Sequence, residues 1–136
     1  LKKKHKYGAK QVIVTEDLTI FEVEQLEKFN ITDVKGIKFD SKSEGQYYQK
    51  LKRMEQRGEI KSIQPQPTFV LQDKPKIKYS ADFLVEYIDG RTAIYDVKGV
   101  ETTAFRLKVR LFKAKFPDLK LILVKKQGSR FVEVPA

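Results

Sequence analysis

Residues Lys78–Gly99 read KYSADFLVEYIDGRTAIYDVKG. Two runs of strand formers, Lys78 to Ile88 and Thr92 to Lys98, flank Asp89-Gly90, a dipeptide that marks a hairpin. Asp82 stands between Ala81 and Phe83, and Asp96 between Tyr95 and Val97. Aspartate is a poor strand former, and local inconsistencies of this kind are expected at functional sites. Loop length decides whether the two meet. A three-residue loop, Ile88-Asp89-Gly90 with Gly90 left-handed, pairs Tyr87 with Arg91. It sets Asp82 opposite Asp96 and Ser80 opposite Lys98, all on one face. A two-residue loop shifts the register and sends the two aspartates to opposite faces. On one face, carboxylates about 5 Å apart repel unless a cation lies between them. Mg²⁺ or Mn²⁺ takes oxygen ligands of this kind. The alternative is a surface hairpin in which Lys98 neutralises one aspartate.

The flanking sequence predicts an α/β domain with a mixed sheet. Gln11 to Thr15 suits a short strand. Thr19 and Glu22 have capping-box spacing ahead of a helix over about residues 20–29, and Asn30 to Gly36 reads as a connection. Ser41 or Ser43 can cap a second helix running to Arg57, with Tyr47, Leu51 and Met54 on one stripe. Ser62 to Leu71 reads as a strand at an edge or starting late, because Pro65 and Pro67 cannot donate to a ladder. Thr102 or Thr103 can cap a third helix over 104–116, ended by Pro117. Lys120 to Lys125 is a buried-type strand, and Arg130 to Val134 a last short one. The expected divisions are a basic tail over 1–10, an acidic extension over 11–35, and a main domain over 36–136.

The chain has 136 residues, 28 Lys+Arg against 18 Asp+Glu, a net charge of +10, and no Cys. One domain of this length can bury a sizeable core. The lack of cysteine excludes a disulfide framework and a thiolate zinc site. No run approaches 18 apolar residues, so no membrane span is expected. The basic start lacks a following apolar stretch, so a secretory signal is not expected either. A start at Leu1 is what a trimmed chain or a fragment would show. Residues 1–10 carry five Lys and no acid, residues 11–40 three basic and seven acidic groups, and residues 101–136 nine basic and three acidic groups. Clustered positive charge of this kind suits a polyanion, nucleic acid first, because neutralised phosphates release counterions. His5 stands alone in the basic tail and carries no expected role.

Tyr79-Ser80-Ala81-Asp82, a hairpin, and Asp96-Val97-Lys98 together resemble the PD-(D/E)XK nuclease signature. Ser-Ala-Asp stands where the first motif usually reads Pro-Asp, and Asp96 stands where many members carry Glu. Ser43-Glu44-Gly45, on the preceding helix, is similar to the acidic helix of Holliday-junction resolvase-like and transposase-endonuclease branches. Residues 36–125 resemble small phage and prophage proteins of that superfamily. The resemblance implies a restriction-endonuclease-like core in the order α-β-β-β-α-β and hydrolysis of DNA phosphodiester bonds, in duplex or branched DNA, with Mg²⁺ (or Mn²⁺) as cofactor. It implies that Asp82, Asp96 and the Val97 carbonyl hold the metal, that Glu44 reaches in from its helix, and that Lys98 orients the attacking water. It also implies a cytoplasmic setting, that of a bacterial host if the protein is phage-encoded, and allows a homodimer.

Arg106, Arg110 and Lys113 recur at i, i+4, i+7 on the third helix, extended by Lys108 and Lys115. No acid lies between Thr102 and Pro117 to pair with them, so the stripe is expected to contact DNA phosphates. Gln64, Gln66, Tyr47 and Tyr48 are candidates for a substrate groove, with core packing the rival role for the tyrosines. Glu86 is expected to be solvated. A non-catalytic nucleic-acid-binding or protein-interaction module on a nuclease scaffold is the rival reading, motivated by residues 11–35 as a partner-docking segment. A membrane-surface role lacks an amphipathic helix to support it.

Overall fold

The computed structural model describes residues 9–136. Most of the basic tail, with His5, lies outside the described residues. The chain divides after Arg53 into two compact units.

In the first unit, β1 (Val12–Val14) is the centre of a three-stranded antiparallel sheet between β2 (Ile20–Glu22) and β3 (Ile37–Phe39). Helix α1 (Val23–Lys28) follows β2 directly. The helix expected from residue 20 therefore starts later. Ile20 to Glu22 pair with β1, and Thr19 gives its N–H to Thr15 Oγ1 (3.1 Å) and Asp17 Oδ1 (3.3 Å) instead of capping a helix. The division expected at residue 36 falls inside this unit, because β3 closes on β1. Gly36 permits that closure: a Cβ there would sit 2.3 Å from the Val14 carbonyl oxygen. Helix α2 (Lys42–Gln56) begins in this unit and lays Gly45 against Val12, where a Cβ would meet Val12 Cγ2 at 2.7 Å.

The second unit is built on a five-stranded sheet, β10-β9-β8-β7-β4. Its strands are β4 (Ile60–Pro65), β7 (Phe83–Tyr87), β8 (Thr92–Val97), β9 (Leu121–Gln127) and β10 (Arg130–Pro135). β8 and β9 are parallel and joined through helix α3 (Thr103–Lys115), while the other neighbours are antiparallel. A separate ladder joins β5 (Thr68–Asp73) to β6 (Lys76–Ser80).

The strands expected over 62–71 and 78–88 are each broken once, and at the same level. Pro65 pairs with Phe83 below the break and Thr68 with Ser80 above it, so one register runs through both ladders. The break has local causes. Pro67 has no N–H for a ladder, and Gln66 is left-handed at φ 54. The bend is held by Gln66 N–H on the Asp82 carbonyl (2.8 Å) and Ala81 N–H on the Pro67 carbonyl (3.1 Å). Asp82 thus sits where the sheet turns.

Helix α3 forms where expected. Thr102 Oγ1 accepts the Phe105 N–H at 3.1 Å, Lys113 and Lys115 lie in the last turn, where they favour the helix dipole, and Pro117 follows. Its apolar face packs with Tyr79, Ala81, Ile94, Leu121 and Leu123 into one core through Phe105, Val109 and Phe112. Phe112 is fully buried, 5.0 Å from the Phe69 ring and 5.6 Å from Tyr79. The chain is therefore a mixed α/β protein with three sheets and three helices among the described residues. None of these helices is long and apolar enough to cross a membrane.

Candidate functional site

The hairpin between β7 and β8 fixes the geometry. Tyr87 N–H donates to the Arg91 carbonyl (2.8 Å), Gly90 N–H to the Tyr87 carbonyl (3.0 Å), and Gly90 is left-handed at φ 92. Asp89 accepts the Arg91 N–H at 3.1 Å and pairs with its guanidinium at 2.7 Å. These contacts hold the Asp89 carboxyl below its ordinary range, the Arg91 N–H being the larger cause. The loop is the three-residue form. Its register pairs Glu86 with Thr92, Leu84 with Ile94 and Phe83 with Tyr95, and that register carried one step on sets Asp82 opposite Asp96.

The ladder ends at Phe83 and Tyr95, and Asp82 completes it with its side chain. Asp82 N–H donates to the Tyr95 carbonyl (3.1 Å), and Asp82 Oδ2 accepts the Val97 N–H (2.7 Å). One aspartate therefore binds the backbone immediately beside the other. Ser80 does not face Lys98. It pairs with Thr68 across the smaller ladder, and their hydroxyls are 2.8 Å apart. The bend at Ala81–Asp82 carried β6 away from β8.

Asp96 is buried, with 1% of its surface exposed. Its Oδ2 accepts the Tyr79 hydroxyl. Its Oδ1 is buried without a hydrogen-bond partner, although the Lys98 ammonium stands 3.5 Å away. That separation is a charge contact, longer than an ordinary hydrogen bond. Lys98 Nζ also lies 4.5 Å from the centre of the Phe105 ring, a cation–π contact. Burial pushes the Tyr79 phenol far above the ordinary tyrosine range, and the Asp96 and Asp82 charges push it further in that direction. Tyr79 is therefore a neutral donor that feels both aspartates.

A hard divalent cation fits this donor set. Two carboxylates and a neighbouring backbone carbonyl suffice for an ion that retains several waters and takes further oxygens from phosphate, and Asp96 Oδ1 is a buried acceptor with no hydrogen bond. Among the described residues no group of three or more His, Cys, Asp or Glu side chains gathers to hold a metal. Glu44 is buried in the first unit, where Ser41 Oγ accepts the Glu44 N–H (3.1 Å) and Glu44 Oε2 accepts the Asp40 N–H (3.2 Å). This is a capping box shifted by one residue.

The other expected residues sort by position. Arg106, Arg110 and Lys113 are exposed along α3 and line one groove, whereas Lys108 is half-buried and does not line it. Gln66 is exposed at the bend, bonded through its backbone to Asp82. Tyr47 and Tyr48 are core residues: Tyr48 stacks on Phe39 with ring centres 5.0 Å apart, and Tyr47 is 1% exposed. Glu86 faces Lys61 at 3.7 Å. Tyr79 is the residue that sequence reasoning missed. It lies three positions before Asp82, so strand alternation assigns it the opposite face, and the bend returns it to the α3 side.

A family model described as "Protein of unknown function (DUF1064)" matches residues 26–130. No curated protein and no solved structure matches the chain.

Proposed function

We propose that this chain, which belongs to the DUF1064 family, is a metal-dependent DNA nuclease of the PD-(D/E)XK kind, with its active site in the second unit. The supporting observation is Asp96: a buried carboxylate, flanked by Asp82, fixed by Tyr79 through one oxygen, with the other oxygen unbonded beside Lys98. Helix α2 precedes the strands β4 to β8, and α3 joins β8 to β9, an arrangement that supports this reading.

Asp82, Asp96 and the Val97 carbonyl would hold Mg²⁺ or Mn²⁺. When bound, such an ion supplies charge neutralisation at a phosphoryl oxygen and a more acidic water. Asp82 fixes the Val97 N–H and so the peptide that carries the third ligand. Tyr79 orients Asp96. Lys98, held over the Phe105 ring, directs a water toward phosphorus and offsets the charge that develops on the phosphate. The oxygen of that water bonds to phosphorus and gives up a proton to solvent as the bond to the 3′ oxygen breaks, and the departing 3′ oxygen takes a proton from solvent, leaving a 5′-phosphate and a 3′-hydroxyl. Exposed cations on α3 would hold the backbone of duplex or branched DNA.

A second reading is a non-catalytic nucleic-acid-binding module. The observation that favours it is the Lys98–Asp96 contact, which neutralises the buried carboxylate without a metal. Incubating plasmid DNA with Mg²⁺ or Mn²⁺, against an EDTA control, separates the two. The nuclease reading expects metal-dependent nicking with 5′-phosphate ends. DNA binding with no cleavage under either metal supports the second.

A further inference from the structure

Beside the proposed site, α3, β9 and β10 enclose a groove of about 440 Å³. Its walls are of two kinds. Arg106, Arg110, Lys113 and Lys125 supply cations, while Val109, Leu123, Val134 and Pro135 supply an apolar floor. Helix α3 does not cover the β10 part of that floor, and Val134 remains 44% exposed. Glu101, the one acid of the lining, is paired with Lys125 at 2.6 Å. Arg106 and Arg110 form no ion pair among the described residues.

We propose that this groove holds an unpaired nucleic-acid strand next to the scissile bond, so that the preferred substrate is DNA carrying a single-stranded branch or tail. The inference rests on the nuclease reading and narrows its substrate. A duplex offers a protein helix its phosphates and sugars while its bases stay stacked inside, and a stripe of cations alone serves it. An apolar trough behind the cations is of no use to a duplex backbone. An unstacked base and its sugar fill such a trough, and their phosphates reach the rim. Continuity with the site favours a nucleic-acid strand over an acidic peptide. Phe105 lines the groove and also lies under the Lys98 ammonium, so one strand can run from Lys98 into the trough. A peptide would have to be a second, unrelated ligand.

The test is fluorescence anisotropy in EDTA, where no metal-dependent cutting occurs, with a blunt duplex and the same duplex bearing a poly-dT tail. Val134→Gln fills the trough with polar atoms at an exposed position and leaves the charge unchanged. Pro135→Gln is a second variant at an exposed lining position. The tailed duplex is expected to bind about ten-fold tighter than the blunt one, as stacking one base would give. Either variant that keeps wild-type circular dichroism should remove most of that gain and leave blunt-duplex binding unchanged. Equal binding of the two DNAs by the wild type, or an equal loss on both in the variants, overturns the inference. So does displacement of DNA by poly-glutamate where the tail gives no gain. Cleavage of the blunt duplex with Mn²⁺ and no tail effect overturns the groove reading and leaves the nuclease reading intact. A tail effect with no cleavage of either DNA supports the groove and overturns the nuclease reading.

Discussion

The Tyr79 hydroxyl donates to Asp96 Oδ2 across two strands that do not pair with each other, and this leaves Asp96 Oδ1 as the unbonded oxygen of the site. The contact exists because β6 bends away from β7 at Asp82. It fixes which oxygen of the buried carboxylate is left without a hydrogen bond.

Tyr79→Phe removes that donor and keeps the ring in the core. A hydrogen bond to a charged group contributes about 1.5–3 kcal/mol, so urea denaturation should show a loss of that order. Isothermal titration should also show weaker Mn²⁺ binding, since Asp96 is no longer held. Unchanged stability and unchanged Mn²⁺ affinity together would mean that the contact positions nothing.

Asp82→Ala strips the Val97 N–H of its acceptor. The expected cost is about 1–3 kcal/mol for an unsatisfied donor, with loss of cleavage. Lys98→Ala is expected to abolish cleavage and retain DNA binding. It also leaves Asp96 buried beside no cation, and breaking such a pair costs about 3–5 kcal/mol. Binding and unfolding are therefore to be measured on the same preparation. Lys98→Ala that cuts at the wild-type rate would remove Lys98 from the mechanism.

Much of this was legible in the sequence. Asp89-Gly90 announced the hairpin, and its loop length gave the choice of registers. Thr102 and Pro117 bracketed α3 because a side-chain cap and a missing N–H are local chemistry. The bend was not legible. It depends on a left-handed Gln66, which the residue type does not signal, and on hydrogen bonds between segments 16 residues apart in the chain, Gln66 to Asp82. Tyr79 was hidden for the same reason, because strand alternation fails across a bend. In the first unit, Ile20 to Glu22 looked helical until pairing with Val12 to Val14 decided otherwise, a case of tertiary contact overriding local pattern.

Gly36→Ala tests how the first unit closes. The added methyl would meet the Val14 carbonyl oxygen at 2.3 Å and the Ile13 side chain at 2.9 Å, and the backbone has to shift. A loss of about 1–3 kcal/mol is expected, as for overpacked sites, read by thermal unfolding. Gly99→Ala, with nothing within 4 Å, is the neutral control.

The Glu101–Lys125 pair at the groove gives a pH dependence. The hydrogen bond from Lys125 holds the Glu101 carboxyl below its ordinary value of 4.5. A depressed folded value means that the pair's contribution is present above pH 4.5 and is lost as pH falls through the folded value. Both side chains are partly exposed, so the contribution is at most about 1 kcal/mol and is screened by salt. Lys125→Ala should be less stable than wild type at neutral pH, and the gap should close in acid. A gap that widens in acid would contradict the assignment.

The most direct test is a cleavage panel with Mn²⁺ over linear, nicked, tailed, flap and four-way DNA, with Asp96→Ala as control. Metal-dependent cutting of at least the branched or tailed forms, 5′-phosphate ends, and no cutting by Asp96→Ala despite retained DNA binding are expected. No cleavage of any form by the wild type, or equal cleavage by Asp96→Ala, would contradict it.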